Sequence, residues 1–325
     1  MLRQEIEDGQ SGLVDPQFRA DVLNGLLARP RAIPARWFYD HRGSQLFEAI
    51  TRLPEYYPTR TEGALLNRVC GDVARDFGTG GAVVEFGSGS SAKTPILLRC
   101  VRPAAYVPID ISGDFLRESA VALAREFPAI AIEPLEGDFL KPLTLPAGVG
   151  DLPKLGFFPG STIGNMTPVA AVDLLRAMRQ SLGTGASLLI GIDRIKSPDI
   201  LVPAYDDAQG VTAAFNLNLL ARVNRELDGT IPLDAFRHVA RWNDDLARIE
   251  MHLEAVRDVA FSVDGRSFTM AAGETVHTEN SHKYAARDAR LLLAAGGWTV
   301  TREWTDEADQ FALYLADARE TPAAP

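Results

Sequence analysis

The sequence predicts an α/β protein built on a Rossmann-like, parallel, doubly wound sheet. Two observations carry that reading. Short apolar runs alternate with helical patterns through the middle of the chain, and the first run, Ala82-Val-Val-Glu-Phe86, breaks into Gly87-Ser-Gly89 shortly before a helical segment near Lys93-Thr94. Short apolar strands alternating with helices pack as parallel strands buried on both faces. Glycines at a strand-to-helix turn let the backbone approach a ligand, and the helix N-terminus offers unpaired N–H groups. Nucleotide-like cofactors bind at such turns, so the chain reads as an enzyme that uses one.

Taken in order, strands are expected at Val83–Phe86, Ala105–Ile109, Ile130–Leu135, Leu155–Pro159 and Leu188–Ile192. Helices are expected at Thr94–Val101, Asp114–Phe127 and Val169–Leu182, the last with Thr167 as N-cap and Pro168 at N1. After Asp193 the rhythm changes. Tyr205–Leu227 reads as one long helix with Phe215, Leu219, Leu220 and Val223 among its apolar positions. Arg248–Val256, Val259–Val263, Ser267–Ala271 and Glu274–Glu279 read as antiparallel strands, with Asp264-Gly265 as a hairpin turn. A helix at Ala285–Ala295 and the strand pair Trp298–Trp304 and Phe311–Ala316 then complete the sheet begun at Val83. The block 196–284 is thus an insertion after the fifth strand, and the first 60 residues, which lack the βα rhythm, pack with it. The expected organisation is a smaller α+β substrate-binding domain (1–60 and 196–284) beside a larger domain (61–195 and 285–325). The first fifteen residues and Thr321–Pro325 are expected to fray.

Composition narrows the function. With 325 residues, 46% of them hydrophobic, the chain can bury a sizeable core. A net charge of -10 and the lack of any Lys/Arg run exclude partners that reward a basic patch, nucleic acid and anionic membranes. Met1–Gln10 is too polar for a signal peptide and no 18-residue apolar stretch occurs, so a cytoplasmic monomer acting on a small molecule is expected. Cys70 and Cys100 lack metal-ligand spacing and read as two incidental thiols of a reduced, cytosolic protein. The five histidines form no metal-binding pattern.

The glycine turn alone does not select a cofactor. Gly87-Ser-Gly-Ser-Ser-Ala92 formally matches the dinucleotide fingerprint, and Asp110, at the end of the second strand, suits ribose hydroxyls in a dinucleotide or an S-adenosylmethionine enzyme alike. Three features favour S-adenosylmethionine. Glu85, just before the turn, suits a cationic sulfonium or amino acid moiety better than a pyrophosphate. Asp138 and Phe139 follow the third strand, where an acid takes the adenine amino group and an aromatic ring flanks the base. The chain also ends on a strand pair, which by fold analogy marks a class I methyltransferase sheet.

Five blocks in order then match a known pattern: Trp37-Phe-Tyr-Asp-His-Arg-Gly-Ser-Gln-Leu-Phe47, Leu53-Pro-Glu-Tyr-Tyr-Pro-Thr-Arg60, Glu85-Phe-Gly-Ser-Gly89, Phe158-Pro-Gly-Ser-Thr-Ile-Gly-Asn165 and His277-Thr-Glu-Asn-Ser-His-Lys-Tyr284. From about residue 20 to 316 the chain closely resembles the L-histidine Nα-methyltransferases that start ergothioneine biosynthesis. The resemblance implies methyl transfer from S-adenosylmethionine to the α-amine of histidine, up to the trimethylated betaine hercynine. Carried over, it assigns Gly87, Lys93, Asp110, Asp138 and Phe139 to the cofactor. Asn165 and Tyr205 would grip the amine and carboxylate end, Tyr39 and Tyr56 would line the reacting amine, with Tyr39 as the catalytic group, and Met251, Glu279 and Ser281 would recognise the imidazole. Asn280 and His282, which flank the Glu279–Ser281 pair, occupy positions that vary within the family.

The implied chemistry is sound. An ammonium has no lone pair, so the site must favour the neutral amine, which a desolvated pocket beside a sulfonium does. Positioning supplies much of the rate, and Tyr39 could accept or relay the proton without being a formal base. Taken singly, each residue has an ordinary reading: Tyr56-Tyr57 as packing, Asn165 as a turn residue, Glu279 as a solvated strand face, Met251 as core, Lys93 as a helix start. The matching order of the blocks overturns these. The rivals are a methyltransferase of the same architecture acting on another amino acid or amine, a dinucleotide-dependent oxidoreductase, and a non-catalytic module that kept the fold.

Overall fold

Val83 and Val84 account for the sheet at the centre of the molecule. Successive strand residues point to opposite faces, and both faces are covered. Val83 belongs to a cluster with Leu66, Tyr106 and Leu189, and Val84 to another with Val107, Leu174 and Ile190. The computed structural model describes residues 14–89, 93–111 and 113–318. Of the ends expected to fray, 1–13 and 321–325 lie outside these, as do the last three fingerprint residues, 90–92, whereas Asp15 is described and caps the first helix.

The N-terminal part contains α1 (Pro16–Leu27), β1 (Arg31–Ala32), α2 (His41–Ile50) and α3 (Tyr57–Phe77). The sheet region follows as β2 (Ala82–Phe86), α4 (Thr94–Val101), β3 (Ala105–Asp110), α5 (Gly113–Glu126), β4 (Ala131–Ile132), β5 (Leu135–Glu136), β6 (Lys154–Phe158), α6 (Pro168–Leu182) and β7 (Ser187–Asp193). The next block holds α7 (Pro198–Tyr205), α8 (Val211–Glu226), β8 (Phe236–Asn243), β9 (Arg248–Ala255), β10 (Val259–Val263), β11 (Arg266–Met270) and β12 (Thr275–His282). The chain closes with α9 (Ala286–Ala295), β13 (Trp298–Thr305) and β14 (Phe311–Ala318).

The main sheet has the order β13-β14-β7-β6-β2-β3-β4, with β5 also paired to β3. Strands β2, β3, β6 and β7 are parallel, while β14 runs antiparallel to both β7 and β13. The chain moves outward from β2 to β3 and β4, then returns to β6 on the other side of β2. That reversal opens a crevice at the carboxyl ends of β2 and β6. The second sheet, β1-β12-β9-β8, shares one core with α1, α2, α7 and α8, including Phe18, Phe38, Leu201, Phe215, Met251 and Val276. The N-terminal segment and the late block therefore bury apolar surface together. The β10–β11 hairpin turns at Asp264 (φ 50°) and Gly265 (φ 70°), the two positive-φ positions of a type I′ turn. Thr167 caps α6 by accepting from the Ala170 N–H.

Four expectations change. The segment Ile130–Leu135 forms two short strands rather than one, because Pro134 stands between them and cannot donate to the ladder. The helix expected over Tyr205–Leu227 begins only at Val211, and Tyr205 instead ends a separate helix, α7, that was not expected. Asp207 ends α7 by capping α8, accepting from the Val211 and Thr212 N–H groups at 3.0 and 2.7 Å, and Gly210 supplies a φ of 72° at the break. Strand β8 was not anticipated: its core-facing positions include His238, which blurs the apolar alternation, yet His238 is buried and hydrogen-bonded to Asn216 and the Tyr205 carbonyl. Finally, Cys70 of α3 and Cys100 of α4 are not free thiols but a disulfide. The two helices pack side by side, so two distant cysteines become neighbours.

Candidate active site

The carboxyl edge of the main sheet gathers four of the expected cofactor residues. Gly87 follows β2 with φ 71°, a conformation that only glycine adopts freely, and a Cβ there would lie 3.4 Å from the Phe139 ring. The Gly87 and Ser88 N–H groups donate to the Ile109 carbonyl at 2.9 and 3.1 Å, joining the turn to the end of β3. There Asp110 accepts from the Gly89 N–H at 3.0 Å. Phe139 stands edge-on to Phe86 and Phe158, with centroids 6.4 and 6.0 Å apart, and Asp138 beside it accepts from the Leu140 N–H at 3.0 Å. An aromatic ring beside a glycine backbone, with two carboxylates that accept hydrogen bonds, fits the base and the ribose hydroxyls of an adenosine group.

Lys93 and Glu85 reach the same edge differently. Lys93 forms an ion pair with Glu62 of α3, whose fully buried carboxylate also accepts from the Gly160 N–H. Lys93 thus acts at this edge together with a residue that sequence reasoning missed. Glu85 was expected to face a cation. Instead its Oε2 accepts from the hydroxyls of Thr94 and Tyr106, both at 2.6 Å, and burial pushes its carboxyl up to about 7. It ties the start of α4 to β2 and β3, because a buried carboxylate must find donors.

The residues assigned to the substrate meet beside β12. The ladder between β12 and β9 shifts register between His277 and Glu279, a bulge of the kind that re-aims side chains. Beyond it Glu279 lies opposite Met251, and Ser281 opposite Ile249. Directly paired residues share a face, as do residues two apart, so Glu279, Ser281 and Met251 face the same way. Tyr205, at the end of α7, reaches this face: its hydroxyl lies 2.7 Å from Ser281 Oγ. Tyr56 meets Tyr205 edge-on at 6.1 Å, and Tyr39 packs edge-on against Phe47 and Phe215.

These groups also act on one another electrostatically. Burial pushes the phenols of Tyr39, Tyr56 and Tyr205 well above their ordinary value, and the Glu279 carboxylate raises each further. Burial also pushes the Glu279 carboxyl up to about 7, against the pull of the Lys283 ammonium. Tyr39 additionally feels the Asp110 carboxylate of the cofactor edge. Asn165 ends the 3₁₀ turn Thr162–Asn165 after β6, which packs closely on β12: a Cβ at Gly164 would lie 2.7 Å from the His282 carbonyl oxygen. Asn165 is accordingly placed beside the strand that carries Glu279 and Ser281.

A buried charged cluster under the chamber was not foreseen. Asp193, at the end of β7, accepts from Tyr57 OH (2.6 Å), Lys196 Nζ (2.5 Å) and Lys283 Nζ (2.8 Å). Burial pushes its carboxyl up, but the two ammonium groups outweigh this and hold it below the usual carboxylate range. Lys283 also donates to Tyr205 OH at 2.9 Å and Ser281 Oγ at 2.8 Å. Signals for the cluster existed. Asp193 ends a parallel strand as Asp110 does, Tyr57 adjoins Tyr56, and Lys283 lies within the His277–Tyr284 block.

The reversed strand β14, lying between β7 and β13, distinguishes this sheet from a dinucleotide-binding one. Together with the glycine turn and the acids at the strand ends, it makes the chain a class I methyltransferase with S-adenosylmethionine as methyl donor. Within that class the chain belongs to the histidine-specific, S-adenosylmethionine-dependent methyltransferase family, whose model matches residues 18–318. The chain is 44% identical over 311 residues to the histidine N-alpha-methyltransferase of Mycolicibacterium smegmatis, covering 92% of this chain and 94% of that protein. It is also 44% identical over 305 residues to that of Mycobacterium tuberculosis, with the same coverage. Ergothioneine biosynthesis protein 1 of Neurospora crassa is 29% identical over 303 residues, which are 88% of this chain and 33% of that protein.

Proposed function

We propose that this enzyme transfers methyl groups from S-adenosylmethionine to the α-amine of L-histidine, ending at the trimethylated product hercynine in ergothioneine biosynthesis. The observation that carries the reading is the partly buried Glu279, whose carboxylate acts on the phenols of Tyr39, Tyr56 and Tyr205, in a chain 44% identical to histidine N-alpha-methyltransferases. S-adenosylmethionine supplies an electrophilic methyl group on a sulfonium.

Gly87, Asp110, Asp138 and Phe139 would hold the adenosine part, and Lys93, paired with Glu62, would close the edge beside Gly160. Glu279 would accept the imidazole N–H, with Ser281 and Met251 completing the ring site. Asn165, whose amide offers both an acceptor and donors, would serve the amine and carboxylate, while the Tyr205 hydroxyl is held by Ser281 and Lys283. In each round the ammonium first loses one proton. The neutral nitrogen then forms its N–C bond as the methyl group's bond to sulfur breaks, leaving S-adenosylhomocysteine as the thioether product. The buried chamber favours the neutral amine. Because burial, then Glu279, lifts the Tyr39 phenol well above its ordinary value, it stays protonated and acts by hydrogen bonding, orienting the lone pair while the proton passes to water.

The same reading divides the chain into a substrate-binding domain (1–60 and 196–284) and a methyltransferase domain (61–195 and 285–325), working as a cytoplasmic monomer without nucleic acid or membrane. The net charge of -10 disfavours nucleic acid and anionic membranes as partners, and no described helix is long and apolar enough to cross a membrane. Mass spectrometry of histidine incubated with the enzyme and donor tests the proposal. Products with successive added methyl masses are expected; turnover of another amino acid with none of histidine would overturn it.

A further inference from the structure

Lys283 is fully buried, and its ammonium has three N–H donors and no acceptor. The three partners are Asp193 Oδ2 at 2.8 Å, Ser281 Oγ at 2.8 Å and Tyr205 OH at 2.9 Å. The two hydroxyl oxygens lie 2.7 Å apart, so the three groups form a closed triangle anchored on the main sheet through Asp193. Lys283 donates one to each hydroxyl oxygen, and the bond between the hydroxyls uses one of their two hydrogens. One hydroxyl hydrogen is left for a ligand. Two residues before Ser281 on the same face of β12 stands Glu279, an acceptor when ionised.

We propose that Lys283 is a positioning residue that fixes the Tyr205–Ser281 hydroxyl pair as a single donor opposite the Glu279 acceptor, so that the chamber selects a ring carrying one donor and one acceptor. This rests on the histidine reading above and extends it to the protonation state of the substrate. A neutral imidazole has one N–H and one bare nitrogen and satisfies both ends. An imidazolium has two donors and no acceptor, and would leave the hydroxyl hydrogen unpaired beside an ammonium. A phenyl ring satisfies neither end.

A double-mutant cycle on the complex with S-adenosylhomocysteine tests the assignment, with histidine affinity read by calorimetry for the wild type, Lys283→Met, Ser281→Ala and the double variant. If Lys283 acts through the hydroxyls, each single change weakens histidine about tenfold, and the double variant is about as weak as Ser281→Ala alone. In turnover the loss should fall on the histidine KM, with kcat and S-adenosylhomocysteine affinity held within about threefold. Losses that multiply, or a parallel loss of S-adenosylhomocysteine affinity, would overturn the role. Should Lys283→Met fail to fold, the cycle is run with Lys283→Arg, which keeps a cation beside Asp193 while changing the donor geometry at the hydroxyls. Wild-type protein that neither binds nor methylates histidine defeats the functional reading itself. Wild-type turnover with independent losses in the variants defeats only the role of Lys283.

Discussion

Along the carboxyl edge of the main sheet, Gly87, Asp110 and Phe139 each lie at or within a few residues of a strand end, and neighbouring backbone meets their polar atoms. In the chamber beside β12, Tyr39, Tyr56, Tyr205 and Glu279 come from four separated segments, and burial shifts every one of their titrating groups. The first region is made by local turns on a rigid frame. The second exists only once the N-terminal segment, α7 and β12 have packed together, and a buried cation cluster anchors it to the frame through Asp193. A cofactor common to many enzymes can be held by local geometry. A particular amino acid needs groups brought from several directions.

If the two regions divide the work in this way, variants should separate them. The largest effect is expected for Glu279→Ala, which should raise the histidine KM about 100-fold, as loss of a hydrogen bond to a charged group does, and leave S-adenosylhomocysteine affinity unchanged. Equal losses in both measurements would make Glu279 a structural residue. Asp110→Ala should do the reverse, weakening S-adenosylhomocysteine about 20-fold by calorimetry with little change in the histidine KM. Asn165→Ala should lower kcat/KM for histidine about tenfold at unchanged cofactor affinity. Unaltered histidine kinetics would remove it from the site.

Tyr39 feels a carboxylate of each region, Glu279 and Asp110, and the expected effect there is smaller. A general base contributes roughly 100-fold or more, but a phenol that stays protonated does not, so Tyr39→Phe should lower kcat only about threefold. A 100-fold fall would reinstate it as the proton acceptor. The smallest effect concerns pH and stability. A Glu279 carboxyl raised to about 7 binds its proton more tightly folded than unfolded. Its stabilising contribution is therefore present below the ordinary carboxylate pKa and is lost as pH rises through about 7. Glu279→Gln removes that loss, so its melting temperature should gain on the wild type by a few degrees between pH 5 and pH 8. A constant difference across that range would place the Glu279 carboxyl in an ordinary, solvated environment.

Much of the frame was legible in the sequence. The boundaries of α4 and β10 match expectation residue for residue, because proline, glycine and short apolar runs mark them locally. The break at Asp207–Gly210 was also written locally, as an acidic cap and a glycine, but the apolar spacing on both sides disguised it. Strand β8 was hidden by a buried histidine, whose cost is removed only by Asn216 and a backbone carbonyl from elsewhere in the fold. The disulfide was hidden for a similar reason: the packing of α3 on α4, not spacing along the chain, joins Cys70 to Cys100.

By itself the sequence determined the alternation of strands and helices, the glycine turn with its acids, and the order of blocks that marks the family, since each is expressed over a few neighbouring residues. Only the tertiary structure decided that Glu85 braces a helix, that Lys93 is paired with Glu62, and that Tyr205 and Ser281 touch under Lys283. Buried polar groups must be satisfied by partners that are close in space, and which partners those are depends on how distant segments pack.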